Sequence, residues 1–168
     1  MKNIIYATFI LIPLCTFSQG DDSKVNLGLG FGLDYGGFGA RLTGTPSKNF
    51  GVFGSVGYAL AGVGYNVGVQ GIFNAKGRVV PYITGMYGYN AALVVTGAIE
   101  EKKIYYGPSF GLGMKLVSKK NANFWNFELL VPIRDPAFQD KIDELKNMGA
   151  VVSAVIPVAI SVGYHFGF

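Results

Sequence analysis

With 168 residues the chain is long enough for one domain, and its 14% charged content is well below the roughly 25% of soluble domains. Half of it is hydrophobic, with 25 glycines, 10 tyrosines and 13 phenylalanines, yet the oily residues after the N-terminus are dispersed in alternation, which excludes a bundle of spanning helices. A net charge of +4 without any basic stripe excludes a nucleic-acid surface, and a single cysteine excludes a disulfide framework.

The N-terminus reads as a secretory signal. Lys2 supplies the positive start, residues 4–14 the apolar stretch, and Thr16 and Ser18 the small residues before a cleavage at Gln19. The apolar stretch is interrupted by Pro13 and is short of the ~20 residues a helical span needs. Cys15 could carry a lipid, but Ile12, Pro13 and Leu14 lack the small residue that such processing requires next to the cysteine. The expected organisation is a signal peptide, 1–18, and one mature domain, 19–168. The mature chain then has no cysteine.

From residue 25 onward the sequence alternates with a period of two, the signature of strands with unlike faces. Val25, Leu27, Leu29, Phe31 and Leu33 make the oily face of a first strand, with a tight turn at residues 34–37. Phe38, Ala40 and Leu42 mark the second strand, and a turn follows at 45–49. Phe50, Val52, Val56, Tyr58 and Leu60 mark the third, where Phe53 breaks the pattern on the other face. Val63, Tyr65, Val67, Val69 and Phe73 mark the fourth. The fifth, residues 79–89, has Pro81, Ile83, Tyr87 and Tyr89 outward and Thr84, Met86 and Gly88 inward. Residues 91–103 read as a longer loop. The sixth strand carries Tyr106 to Leu116, the seventh Trp125 to Ile133. Residues 134–149 form the longest loop, with Phe138, Ile142, Leu145 and Met148 at helical spacing. The eighth strand, 152–168, has Val152, Ala154, Ile156, Val158, Ile160, Val162, Tyr164, Phe166 and Phe168 on one face.

Eight strands of spanning length, short polar turns on one side and long loops on the other predict an all-β fold: an eight-stranded antiparallel up-and-down transmembrane β-barrel. The aromatics fall at two rims. Tyr35, Phe38, Tyr58, Tyr65, Tyr87, Tyr89 and Tyr106 lie at one, and Phe50, Phe73, Tyr82, Trp125, Phe166 and Phe168 at the other. The short turns are expected in the periplasm and the barrel in the cell outer membrane.

The closing residues Val162-Gly163-Tyr164-His165-Phe166-Gly167-Phe168 complete a resemblance to small eight-stranded bacterial outer-membrane barrels of the outer-membrane protein A and X type. Gly163, Phe166 and Phe168 resemble the C-terminal signal read by the barrel-assembly machinery; Val162 departs from it, since a polar residue is usual there. The resemblance implies a fold and an outer-membrane lipid environment, and no activity, because such barrels serve as adhesins, anchors, narrow channels or lipid enzymes.

Chemistry would reside on the inward face. Its polar set is Arg41, Lys115, Glu128, Asn66, Gln70 and His165, together with Asn26, Thr84, Ser109 and Ser161. Charges inside an apolar wall must be paired. Glu128 is expected to face Lys115 across adjacent strands, with Arg41 joining through the lumen. An interior only wide enough for side chains predicts a polar plug rather than a gated pore. The lone His165 and the absence of metal-ligand spacing predict no metal, no cofactor and no catalysis. The expected role is structural or surface interaction, with partner contacts through loops 91–103 and 134–149. A narrow channel, a lipid-modifying enzyme using Ser109, Glu128 or His165, and a soluble lipocalin-like binder are the alternatives.

Overall fold

The computed structural model describes residues 24–59, 61–95, 101–134, 138, 142, 144 and 157–168. The expected signal peptide, the beginning of the expected eighth strand and most of 134–149 lie outside these. The strands are β1 (Lys24–Gly32), β2 (Gly37–Ser47), β3 (Phe50–Ala59), β4 (Gly62–Ile72), β5 (Val79–Val95), β6 (Glu101–Val117), β7 (Phe124–Pro132) and β8 (Ala159–Gly167). Among the described residues they close in sequence order into one barrel, each strand antiparallel to its neighbours, with β8 returning to β1 through pairs such as Gly30 with Gly163.

The alternation sorts the side chains with polar groups inside and apolar groups outside. Leu112 and Ile160 on the outer surface are 67% and 68% exposed, whereas Arg41 and Glu128 inside are 1% and 2% exposed. Exposed apolar residues occur on all eight strands, among them Leu29, Leu42, Val56, Val67, Ile83, Leu112, Leu129 and Ile160. Burying a large apolar side chain stabilises by roughly 1.5–3 kcal/mol, a gain these residues do not make within the chain. The apolar belt has an aromatic row at either end. Phe38, Tyr58, Tyr65 and Tyr87 are exposed in one, with Tyr65 stacked on Tyr106 at 4.7 Å. Phe50, Phe73, Trp125, Phe166 and Phe168 are exposed in the other.

Three expectations about the rims are corrected. Tyr35 and Tyr82 are inside the barrel, not at its rims. Tyr82 follows the alternation, because its neighbours Pro81 and Ile83 take the outer positions. Tyr89 is half-buried and packs on the interior cluster of Leu33, Phe53, Met86 and Leu130. The backbone twists there, with Gly88 at φ 155° and a register irregularity between Tyr89 and Ala91.

The expected loop 91–103 is also corrected. β5 and β6 run on as a hairpin, pairing Ala91 with Tyr105 through Val95 with Glu101. β4 pairs with β5 only as far as Gly88, and β7 with β6 only as far as Ser109, so the hairpin leaves the barrel wall. At ~3.3 Å per residue it extends by about 20 Å. Val94, Val95, Ile104 and Tyr105 in this extension are residue types that favour strand over loop. At the same end Phe138 and Ile142 are helical and buried, and Phe138 meets the Tyr105 ring edge-on at 4.9 Å. Among the described residues the opposite end carries the short turns at 48–49, 73–78 and 118–123.

Candidate functional site

The interior is organised by the connection between β1 and β2. Residues Leu33–Tyr35 form one 3-10 turn that folds into the lumen instead of capping the rim. Three glycines with positive φ make this possible: Gly32 at 139°, Gly36 at 70° and Gly37 at 104°. The barrel wall makes room for it. A Cβ at Gly30 or Gly163 would occupy the space of the Tyr35 ring. The missing side chains on β1 and β8 are therefore the socket for a tyrosine supplied by the turn.

Asp34, carried inward by the same turn, forms an ion pair with Arg41 Nη1. The same Nη1 donates to Glu128 Oε2 at 2.8 Å. The Arg41 guanidinium lies 3.6 Å from the Phe53 ring centroid, so the one side chain that broke the alternation of β3 is a platform for the cation. The turn backbone is held as well. Ser55 Oγ donates to the Asp34 carbonyl at 2.5 Å, and Asn66 Nδ2 donates to the Leu33 carbonyl at 2.9 Å. Two buried carboxyl groups around one buried guanidinium repay their lost hydration only through this geometry.

A second network lies beside the first. His165 Nδ1 is 2.7 Å from Asn26 Oδ1, and His165 Nε2 is 2.7 Å from the Tyr35 hydroxyl. With the Asn26 carbonyl oxygen accepting, the imidazole carries its proton on Nδ1 and accepts from Tyr35 at Nε2. The Phe124 ring stacks on the imidazole, 4.7 Å away and tilted by 10°.

Of the polar residues expected inside, Arg41, Asn66, Gln70, Lys115, Glu128 and His165 are all buried in the lumen. Arg41 and Glu128 are brought together, Asn66 supports the turn, and His165 joins Tyr35 and Asn26. The expected pairing of Glu128 with Lys115 is corrected. Their register partners are Gly113 and Asn126, two steps apart, and Glu128 turns to Arg41. Lys115 instead lies 5.3 Å from each of the Tyr82 and Phe124 rings. Gln70 has its Oε1 buried without a protein partner. Gly163 backs the Tyr35 ring, while Phe166 and Phe168 face outward on the last turn of the wall.

Sequence reasoning missed Asp34 and Tyr35 as interior groups because they sit in a four-residue turn. The available signals were Arg41, an inward cation needing more than one acid, and the facing glycines at 30 and 163.

His165 is committed to Tyr35 and Asn26, and Ser109 accepts from Asn90 at 3.2 Å. Among the described residues no hydrogen bond joins a serine to the imidazole, and no group of three His, Cys, Asp or Glu could ligate a metal. At the short-turn end a vestibule of about 340 Å3 opens inward. No protein-family model matches the chain, and no curated protein matches it in sequence.

Proposed function

We propose that the chain is an integral β-barrel of a bacterial outer membrane, with a structural or surface-interaction role and no catalysis. The observation that carries this reading is the inverted partition of its side chains. An apolar belt bounded by aromatic rows surrounds the barrel, while Asp34, Arg41, Lys115 and Glu128 are buried inside it. A lipocalin-like soluble binder would need the reverse, a polar outside and an apolar cavity. Lipid tails are the solvent that suits this surface, and a closed barrel leaves no unpaired strand edge in them.

Asp34, Tyr35, Arg41 and Glu128 fill the lumen at the level of the turn, which supports a sealed barrel over a conducting one. The barrel-assembly machinery would act on Gly163, Phe166 and Phe168. Surface contacts would fall to the β5–β6 hairpin and the 134–149 connection, both at the end opposite the short turns. Membrane fractionation followed by gel electrophoresis with and without boiling tests the reading. Retention through alkaline extraction and a heat-dependent mobility shift are expected. Release without detergent would refute it.

A further inference from the structure

The ten acidic residues of the chain are unevenly placed. Asp34 and Glu128 are in the lumen with Arg41, Asp21 and Asp22 precede β1, and the rest belong to the β5–β6 hairpin or to the connection between β7 and β8. The turns between β4 and β5 and between β6 and β7 hold no acid, and they carry Lys76, Arg78, Lys119 and Lys120, all exposed. The two turns are neighbours, because Val79 pairs with Leu116. Arg78 Nε donates to the Val117 carbonyl at 3.1 Å, which fixes the guanidinium at the base of the turn that carries Lys119 and Lys120. Among the described residues none forms an ion pair with any of the four. Like charges gathered on adjacent turns repel one another, and an anion among them offsets this.

A second observation lies on the outer wall next to these turns. Val79, Leu116, Trp125 and Tyr164 are successive register partners and form one row around the barrel. Val79, Leu116 and Trp125 are exposed there, and Trp125 meets Tyr164 edge-on at 5.1 Å. Met114 and Leu112 continue the exposed apolar surface of β6 away from the turn. Indole and phenol rings settle at the headgroup level, between hydrocarbon and water. The cations are therefore at the polar edge of an apolar wall, an arrangement that an anionic amphiphile complements.

We propose that this arc of the rim binds an anionic phospholipid, its phosphate among Arg78, Lys119 and Lys120 with Lys76 beside them, and its acyl chains along Leu116 and Trp125. The inference rests on the membrane reading and names a lipid that the barrel selects from its surroundings. Arg78 supplies a planar fork for phosphate oxygens, and the lysines supply point charges. None of the four cations lines the inward vestibule, and Lys24 and Lys48, on the β1 and β2–β3 side, take no part. A zwitterionic lipid brings its own ammonium and gains less from the same cations.

Trp125 is the only tryptophan, so its fluorescence reports which lipid is next to the site. The full chain is folded into mixed vesicles of phosphatidylcholine and phosphatidylglycerol, with bromine on the acyl chains of one lipid at a time to quench the indole. Phosphatidylglycerol should be preferred about fivefold or more at ~50 mM salt and less than about twofold at ~0.5 M. Arg78→Gln, Lys119→Gln and Lys120→Gln together should bring the low-salt preference below about twofold, with quenching by brominated phosphatidylcholine retained as the sign of a folded barrel. Lys119→Glu alone should lower it by at least about twofold. Asp21→Asn with Asp22→Asn should change it by less than about twofold. Quenching by both lipids without preference sinks this proposal and leaves the membrane reading standing; quenching by neither sinks both. A preference that survives both the triple variant and Lys119→Glu, or that rises more than about twofold when Asp21 and Asp22 are neutralised, would overturn the proposal.

Discussion

Replacing Arg41 by methionine tests the interior most sharply. The substitution keeps much of the side-chain volume against Phe53 and deletes the only cation that Asp34 and Glu128 share among the described residues. Breaking a buried ion pair from one side costs about 3–5 kcal/mol, since the partner charge stays buried and uncompensated. Here two carboxylates are stranded, so the upper part of that range is expected. With a urea slope of about 2–3 kcal/mol/M the unfolding midpoint should fall by roughly 1–2.5 M. Trp125 fluorescence in lipid vesicles reports the transition. The triple variant Asp34→Asn, Arg41→Met, Glu128→Gln removes all three charges and should recover most of the loss, since a neutralised site no longer strands an ion. If Arg41→Met stays within about 1 kcal/mol of the parent, or if the triple variant is no better than the single, the ion-pair network does not hold the turn.

Further outcomes follow from the same geometry. Tyr35→Phe deletes the hydroxyl bonded to His165 and should cost about 0.5–1.5 kcal/mol in the same urea titration. Gly163→Val fills the socket of the Tyr35 ring and should cost about 1–3 kcal/mol; loss of the His165–Tyr35 contact in NMR spectra would mark expulsion of the ring. Leu129→Arg, on the outer belt, should destabilise the barrel in vesicles by about 2–4 kcal/mol, the cost of a charge near the bilayer midplane. Planar bilayers containing the parent protein should show no steady conductance, and a regular open level would contradict a filled lumen.

Much of the wall was legible in the sequence because a period of two leaves little freedom. Once Val63, Tyr65, Val67 and Val69 share a face, Asn66 and Gln70 must share the other. The interior partners were less legible. Glu128 and Lys115 lie on adjacent strands, and adjacency suggested a pair, but the acid is won by Arg41 from across the lumen. Sequence alternation assigns a face and says nothing about which inward side chains meet over the axis. The inward fold of residues 33–35 was hidden for a similar reason. A short glycine-rich turn reads as a rim connection, and only the empty positions at Gly30 and Gly163, distant in sequence, reveal where its tyrosine goes. The β5–β6 hairpin was misread because charge at residues 100–103 suggested a loop, whereas strand edges outside a barrel tolerate charge well.

The central claim is that the oily half of each alternation meets lipid. Nitroxide labels placed singly along β4, from Val63 to Gln70, measure it directly through collision with oxygen and with a water-soluble nickel complex. Labels at 63, 65, 67 and 69 should collide with oxygen and escape nickel, while labels at 66 and 70 should be shielded from both. Strong nickel collision at the odd-numbered positions would contradict the account.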